Sequence, residues 1–193
     1  MFVKICGITN REDALAAVDA GARALGFNFY AKSLRAVTPE QIEAFVKDIP
    51  NDIWKVGVFV NESPAKIEEI GARLNLDIAQ LHGSETPEEY PRGLRVWKAF
   101  RVTPHGIPDG FYSWPAEARL LDGPASGKTF DWSIATAFPG KLIVAGGLDE
   151  HNVRDAIAIV KPWGVDVSSR IETAPGRKDH ARMKRFIEAA LRS

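Results

Sequence analysis

The sequence predicts an α/β fold: a single (β/α)8 barrel of the TIM type, with its fifth helix short or missing. Three observations carry this. Short apolar strands alternate with amphipathic helices along the whole chain, the pattern of parallel strands joined by crossovers. Eight such strands can be counted, which favours a closed ring over an open sheet. The open doubly wound alternative lacks its usual phosphate fingerprint, since no G-x-G-x-x-G follows the first strand. At 193 residues the chain sits near the low end for such a barrel, which suits short loops, and one domain spanning residues 1–193 is expected.

The elements follow in order. Residues 2–6 (FVKIC) read as the first strand, and a helix follows with Asn10 as N-cap, Asp13 at N3 and Gly21 as its stop. Residues 24–29 form the second strand, and 38–49 a helix opened by Thr38 as cap and Pro39 at N1. Strand three is 54–60, followed by a Ser-Pro helix over 63–75. Strand four is 77–83, with only a short helix begun at 86–92. Strand five is 94–102; the stretch 103–115 holds three prolines and two glycines and should be loop. Strand six is 118–122 with a helix at 131–138, strand seven 141–147 with a helix at 149–161, and strand eight 164–169. A helix of period 3.6 closes the chain over 179–192. The five tryptophans are expected to fill space between strands and helices.

Composition narrows the function. Lys plus Arg and Asp plus Glu both number 25, so no polyanion-binding surface and no nucleic-acid partner are expected. No apolar run approaches the roughly 18 residues of a membrane span, so no membrane partner is expected. The N-terminus shows no secretory signal and the single cysteine cannot form an internal disulfide, which fits a cytoplasmic protein. The four histidines fall into no ligand cluster, so neither a metal nor another cofactor is expected. An oligomer is compatible with the sequence, which fixes no state.

In a barrel the active site lies where strands end and βα loops begin. Cys6 and Gly7 stand there after strand one, Lys32 and Arg35 after strand two, Gln80, His82 and Gly83 at strand four, and Asp122 at strand six. Gly146 and Gly147 end strand seven, and Asp166, Ser168 and Ser169 end strand eight. Strand alternation turns Val3 and Ile5 to the helices and Lys4 and Cys6 inward; it turns Val165 and Val167 out and Asp166 and Ser168 in. Strands one and eight are neighbours in a closed barrel, so Lys4 and Asp166 should form an interior ion pair. Gly146-Gly147 lets backbone N–H groups approach an anion, and residues 168–179 could add the N-terminus of a short extra helix. Taken alone, Cys6 reads as a small buried hydrophobe, Arg35 as a solvated loop residue and His82 as a structural hydrogen-bonder.

VKICGIT, GFNFYAKSLR, VGVFV, LHG, LLD, GKTFDW, AGGL and GVDVSS occur along the whole chain in that order. This series resembles the phosphoribosylanthranilate isomerases of tryptophan biosynthesis. The chain departs from that pattern in having Leu34 where the family usually has proline, a short loop after Asp122, and Arg170 where the family usually has glycine. The resemblance implies an Amadori rearrangement of a small phosphoribosyl substrate, with Asp122 as general acid and Cys6 as general base. It also implies a phosphate held at strands seven and eight, Arg35 on the anthranilate carboxylate, and His82 lining the pocket. Cys6 would then need nearby cations to favour its thiolate, and Asp122 a partly desolvated site to stay protonated. Two other readings stand beside this one: a histidine-pathway aminoaldose isomerase, which resembles it but uses an aspartate at the end of strand one, and a non-catalytic phosphosugar-binding barrel.

Overall fold

The computed structural model describes residues 1–136 and 138–193. Eight parallel strands close into a barrel in chain order: β1 (Phe2–Cys6), β2 (Ala24–Asn28), β3 (Trp54–Phe59), β4 (Ile78–Leu81), β5 (Arg95–Arg101), β6 (Ala118–Asp122), β7 (Lys141–Val144) and β8 (Gly164–Val167). The ring shuts through β1 and β8, with Lys4 paired to Asp166 in register. Strand parity holds: Val3, Ile5, Val165 and Val167 are buried among the helices, and the expected Lys4–Asp166 ion pair forms at 2.9 Å.

The α-helices on the outside are α1 (Arg11–Asp19), α2 (Pro39–Glu43), α3 (Pro64–Leu74), α4 (Val153–Val160) and α5 (His180–Leu191). Asn10 caps α1 by accepting from the Asp13 N–H, and Thr38 with Gln41 forms a capping box on α2. α2 stops well short of the expected residue 49 and a 3-10 turn follows at Val46–Asp48. Phe45 steps out of the helical region, with φ −141° and ψ −4°, although Ile42, Phe45, Val46 and Ile49 are buried at the i, i+3, i+4, i+7 spacing of one helix face. α4 starts four residues later than expected, because Asp149 accepts from the His151 and Asn152 N–H groups in a turn ahead of it.

The connections on the β4–β6 side are thin. A single 3-10 turn, Pro87–Glu89, follows β4, and no helix follows β5. Phe111 takes the missing helix's place there, fully buried, with its ring edge-on to Phe100 at 5.2 Å. The helix expected over 131–138 is reduced to a 3-10 turn at Trp132–Ala135; its residue 137 lies outside the described residues.

Residues after β8 do not form the expected extra helix. One 3-10 turn, Ser169–Ile171, leads into an antiparallel hairpin of β9 (Glu172–Ala174) and β10 (Arg177–Lys178). Pro175 cannot donate a helical hydrogen bond and Gly176 takes a φ of +77°, so this pair makes a turn rather than a helix.

The barrel interior holds Val56, Ile78, Trp97, Leu120 and Ile143. Here the tryptophans depart from expectation. Trp54, Trp97 and Trp163 do not sit between sheet and helices; with Phe2 they plug the N-terminal end of the barrel, Phe2 stacking on Trp163 at 4.3 Å. That plug leaves the opposite end open.

Candidate active site

At the C-terminal end of the strands lies a cavity of about 540 Å³. Cys6, Arg35, His82, Asp122, Gly146, Gly147, Asp166, Ser168 and Ser169 line it; Lys32, Gln80 and Gly83, also expected near the strand ends, do not. Asn28, Tyr30, Ser33, Arg101 and Arg170 line it as well.

Cys6 ends β1, a half-buried residue on the wall of the cavity. Burial first, and then the negative charge of Asp166, push the thiol up from its ordinary value; Lys4, by charge and hydrogen bond, and Lys178, by charge, pull the other way. The cations expected around Cys6 are therefore in place, but burial outweighs them. Lys4 is itself fully buried; desolvation opposes its charge, and Asp166 and Cys6 more than offset that, so it stays an ammonium.

Asp122 ends β6, three strands round the ring from Cys6 by way of β7 and β8. Its carboxyl is pushed up to about 6, first by burial and then by the negative charge of Asp166. Arg101, at 3.9 Å, the Gly123 N–H and Lys4 oppose the shift without cancelling it. A carboxyl held there carries a proton about one-tenth of the time at pH 7, roughly a hundredfold more than an ordinary aspartate, which suits a general acid.

The cavity's third wall is backbone. Gly146 and Gly147 take φ of +82° and +65°, and a methyl on Gly147 would lie 2.7 Å from the Lys128 carbonyl carbon. Positive φ and the close approach of the β6 loop both demand glycine here. The Asn152 side chain donates to the Gly147 carbonyl at 3.0 Å and fixes the turn. Ser126, Gly127, Ser168, Ser169 and Arg170 complete this end, a cradle of glycines and serines with an arginine beside them.

At the other end the β2 loop is folded on itself. Asn28 donates to the Ser33 hydroxyl and accepts from the Tyr30 N–H. Arg35 reaches the cavity with its guanidinium on Glu172, whose carboxylate takes Nε at 2.8 Å and Nη2 at 2.6 Å. His82 accepts from the Gln80 amide and is pushed down to about 3, by burial first and then by Lys4, Lys98 and Arg101, so its imidazole is neutral. Asn28 was readable from strand parity, two positions after the inward Gly26. Glu172 and Lys178 left no such signal, because only the hairpin brings them to the site. No group of three or more metal-binding side chains occurs among the described residues.

Fold and site together define a (β/α)8-barrel enzyme whose cavity is equipped for acid–base chemistry beside an anion cradle. The family model described as N-(5'phosphoribosyl)anthranilate (PRA) isomerase matches residues 3–189. The N-(5'-phosphoribosyl)anthranilate isomerase of Solibacter usitatus is 53% identical over 196 residues, covering 98% of this chain and 97% of its own. The phosphoribosyl anthranilate isomerase of Thermotoga maritima superposes with a TM-score of 0.91 at 41% identity, over 100% of both chains. Another such isomerase, solved with reduced 1-(o-carboxyphenylamino)-1-deoxyribulose 5-phosphate, superposes at 0.89 with 40% identity, again over 100% of both chains. The chain belongs to the N-(5'-phosphoribosyl)anthranilate isomerase family, and its reaction is that isomerisation in tryptophan biosynthesis.

Proposed function

We propose that Asp122 and Cys6 divide the proton transfers of the Amadori rearrangement between them. Asp122 protonates the furanose ring oxygen; the C1′–O bond breaks as the anilino nitrogen's lone pair forms a Schiff base. The minor thiolate form of Cys6, which Lys4 and Lys178 favour against burial, then removes the C2′ proton. The C–H pair becomes the C1′=C2′ double bond, the iminium is neutralised, and the resulting enolamine tautomerises to the ketone. Each such transfer contributes typically 10²–10⁴-fold in rate. The observation that carries this reading is the carboxyl at about 6 on the cavity that Cys6 also lines.

The phosphate sits in the cradle of Gly146, Gly147, Ser168 and Ser169, and the anthranilate carboxylate meets Arg35, a natural partner for a guanidinium. A product-like ligand of this shape, an o-carboxyphenylamino group at one end and a phosphate at the other, occupies the related isomerase. Neutral His82 forms wall rather than ion pair. Asp166 orients Lys4 and adds charge that raises Asp122 and enlarges its protonated fraction. The reading carries with it one domain over residues 1–193, acting in the cytoplasm on a small phosphoribosyl substrate. Supporting it are the full-length match to relatives and a lone cysteine that must stay a thiol; no helix among the described residues is long and apolar enough to cross a membrane.

The test is the loss of substrate fluorescence when freshly made phosphoribosylanthranilate meets Cys6→Ala or Asp122→Asn. Both variants should lose activity while still binding the reduced product analogue. Near-full activity in both would sink the assignment.

A further inference from the structure

The hairpin after β8 lies outside the barrel's strand ends, yet it sends two buried charges under them. The Lys178 side chain is wholly buried and Glu172 is 4% exposed. The Lys178 ammonium has three protons and three acceptors: the Cys6 carbonyl at 2.6 Å, the Glu172 carboxylate at 2.8 Å and the Ser168 carbonyl at 3.3 Å. Cys6 and Ser168 are where β1 and β8 open into the cavity. Glu172 in turn takes Nε and Nη2 of Arg35. The Arg35 stem crosses Gly7 so closely that a methyl on Gly7 would lie 2.6 Å from its Cδ. The hairpin itself is pinned: the Lys178 N–H donates to Asp13 on α1, and the Thr9 hydroxyl donates to the Gly176 carbonyl. A buried pair of this kind holds position more than it adds stability, since apolar groups of equal volume would serve stability as well.

We propose that Glu172 and Lys178 are positioning residues of the active site: Lys178 sets the Cys6 end of β1, and Glu172 holds Arg35 at the height where it meets the substrate's ring carboxylate. The inference rests on Cys6 as base and Arg35 as carboxylate partner. The charged and titratable groups facing Cys6 are Lys4 from β1, Asp166 from β8, Lys178 from β10 and Arg35 from the β2 loop, with His82 and Asp122 on the same cavity. Lys178 is the one among them that grips the Cys6 backbone.

Because Cys6 is the chain's single cysteine, its alkylation by iodoacetamide reports one thiol. In Lys178→Met the pH midpoint of alkylation should rise by about one unit. In Glu172→Gln the KM for phosphoribosylanthranilate should rise about tenfold with kcat little changed, whereas N-(5-phosphoribosyl)aniline, which lacks the ring carboxylate, should be turned over alike by both enzymes. Circular dichroism checks the fold. Where Lys178→Met alone is unfolded, the double variant Lys178→Met/Glu172→Gln removes both buried charges and carries the alkylation test. An unmoved midpoint, or a Glu172→Gln defect equal on both substrates, overturns the proposal. Retained activity in Cys6→Ala or an unchanged KM in Arg35→Met overturns the reading beneath it instead, and is read on separate variants.

Discussion

Gly26 stands opposite Cys6 in the β1–β2 register, and a methyl on Gly26 would lie 2.8 Å from the Cys6 sulfur and 3.0 Å from Lys4 Nζ. The thiol and the ammonium therefore share a space that exists because β2 carries no side chain at that point. Gly26→Ala should move both groups. Overpacking of this kind costs about 1–3 kcal/mol, and a base displaced by half an ångström or more should lose at least tenfold in kcat. Urea denaturation and steady-state kinetics check the two effects; full activity in a stable Gly26→Ala would show that the thiol's placement is not critical.

Asp122 yields a prediction about pH. Its folded pKa of about 6 lies above its unfolded value near 3.9, so between about pH 4 and 6 the native state binds more protons than the unfolded chain. Stability should fall as pH rises through that window, by at most about 3 kcal/mol. Asp122→Asn cannot titrate and should lose this slope, becoming the more stable protein at pH 8 while losing roughly 10²–10⁴-fold in kcat. Thermal or urea unfolding at several pH values reads the slope directly, and a slope retained in Asp122→Asn would assign it to another group.

Lys4 and Asp166 tie the ring shut where its first and last strands meet. Lys4→Met leaves the Asp166 carboxylate buried without its partner and should destabilise the fold by about 3–5 kcal/mol. Adding Asp166→Asn removes the stranded charge and should recover most of that loss. The comparison of urea midpoints among the three variants is the check, and a double variant no better than Lys4→Met would show that packing, not charge, dominates at this seam.

What the sequence revealed of this site followed from rules that do not need the fold's details. Period-2 alternation turned Lys4, Cys6 and Asp166 inward, and the end of each strand is where a barrel works, so Asp122 and Gly146 were readable one by one. The parts that escaped are those in which distant residues decide. Ile42, Phe45, Val46 and Ile49 keep the spacing of a helix face, so the break at Phe45 leaves no local signal after Thr38 starts the helix well. Trp54, Trp97 and Trp163 are far apart in the chain, and only the closed ring brings them together as a plug. Residues 168–179 have the serines and charges of a helix start, but Pro175-Gly176 folds them into a hairpin, and the pairing of Glu172 with Arg35 exists nowhere in the local sequence.

Arg170 is one of three places where the sequence departs from the pattern expected by resemblance. It lies on the rim of the anion cradle, half exposed, its Nε 3.8 Å from the Asp149 carboxylate. A glycine there would offer the phosphate only its backbone; the arginine adds a mobile positive charge, partly balanced by Asp149. An exposed charge pair of this kind contributes about 0.2–1 kcal/mol, and salt screens it. Arg170→Gly should therefore raise KM by about two- to fivefold at low ionic strength, leave kcat unchanged, and flatten the dependence of KM on salt. At about 1 M salt, where the screening length is about 3 Å, wild type and variant should converge. A KM difference that persists undiminished in high salt would mean that Arg170 acts by shaping the loop rather than by its charge.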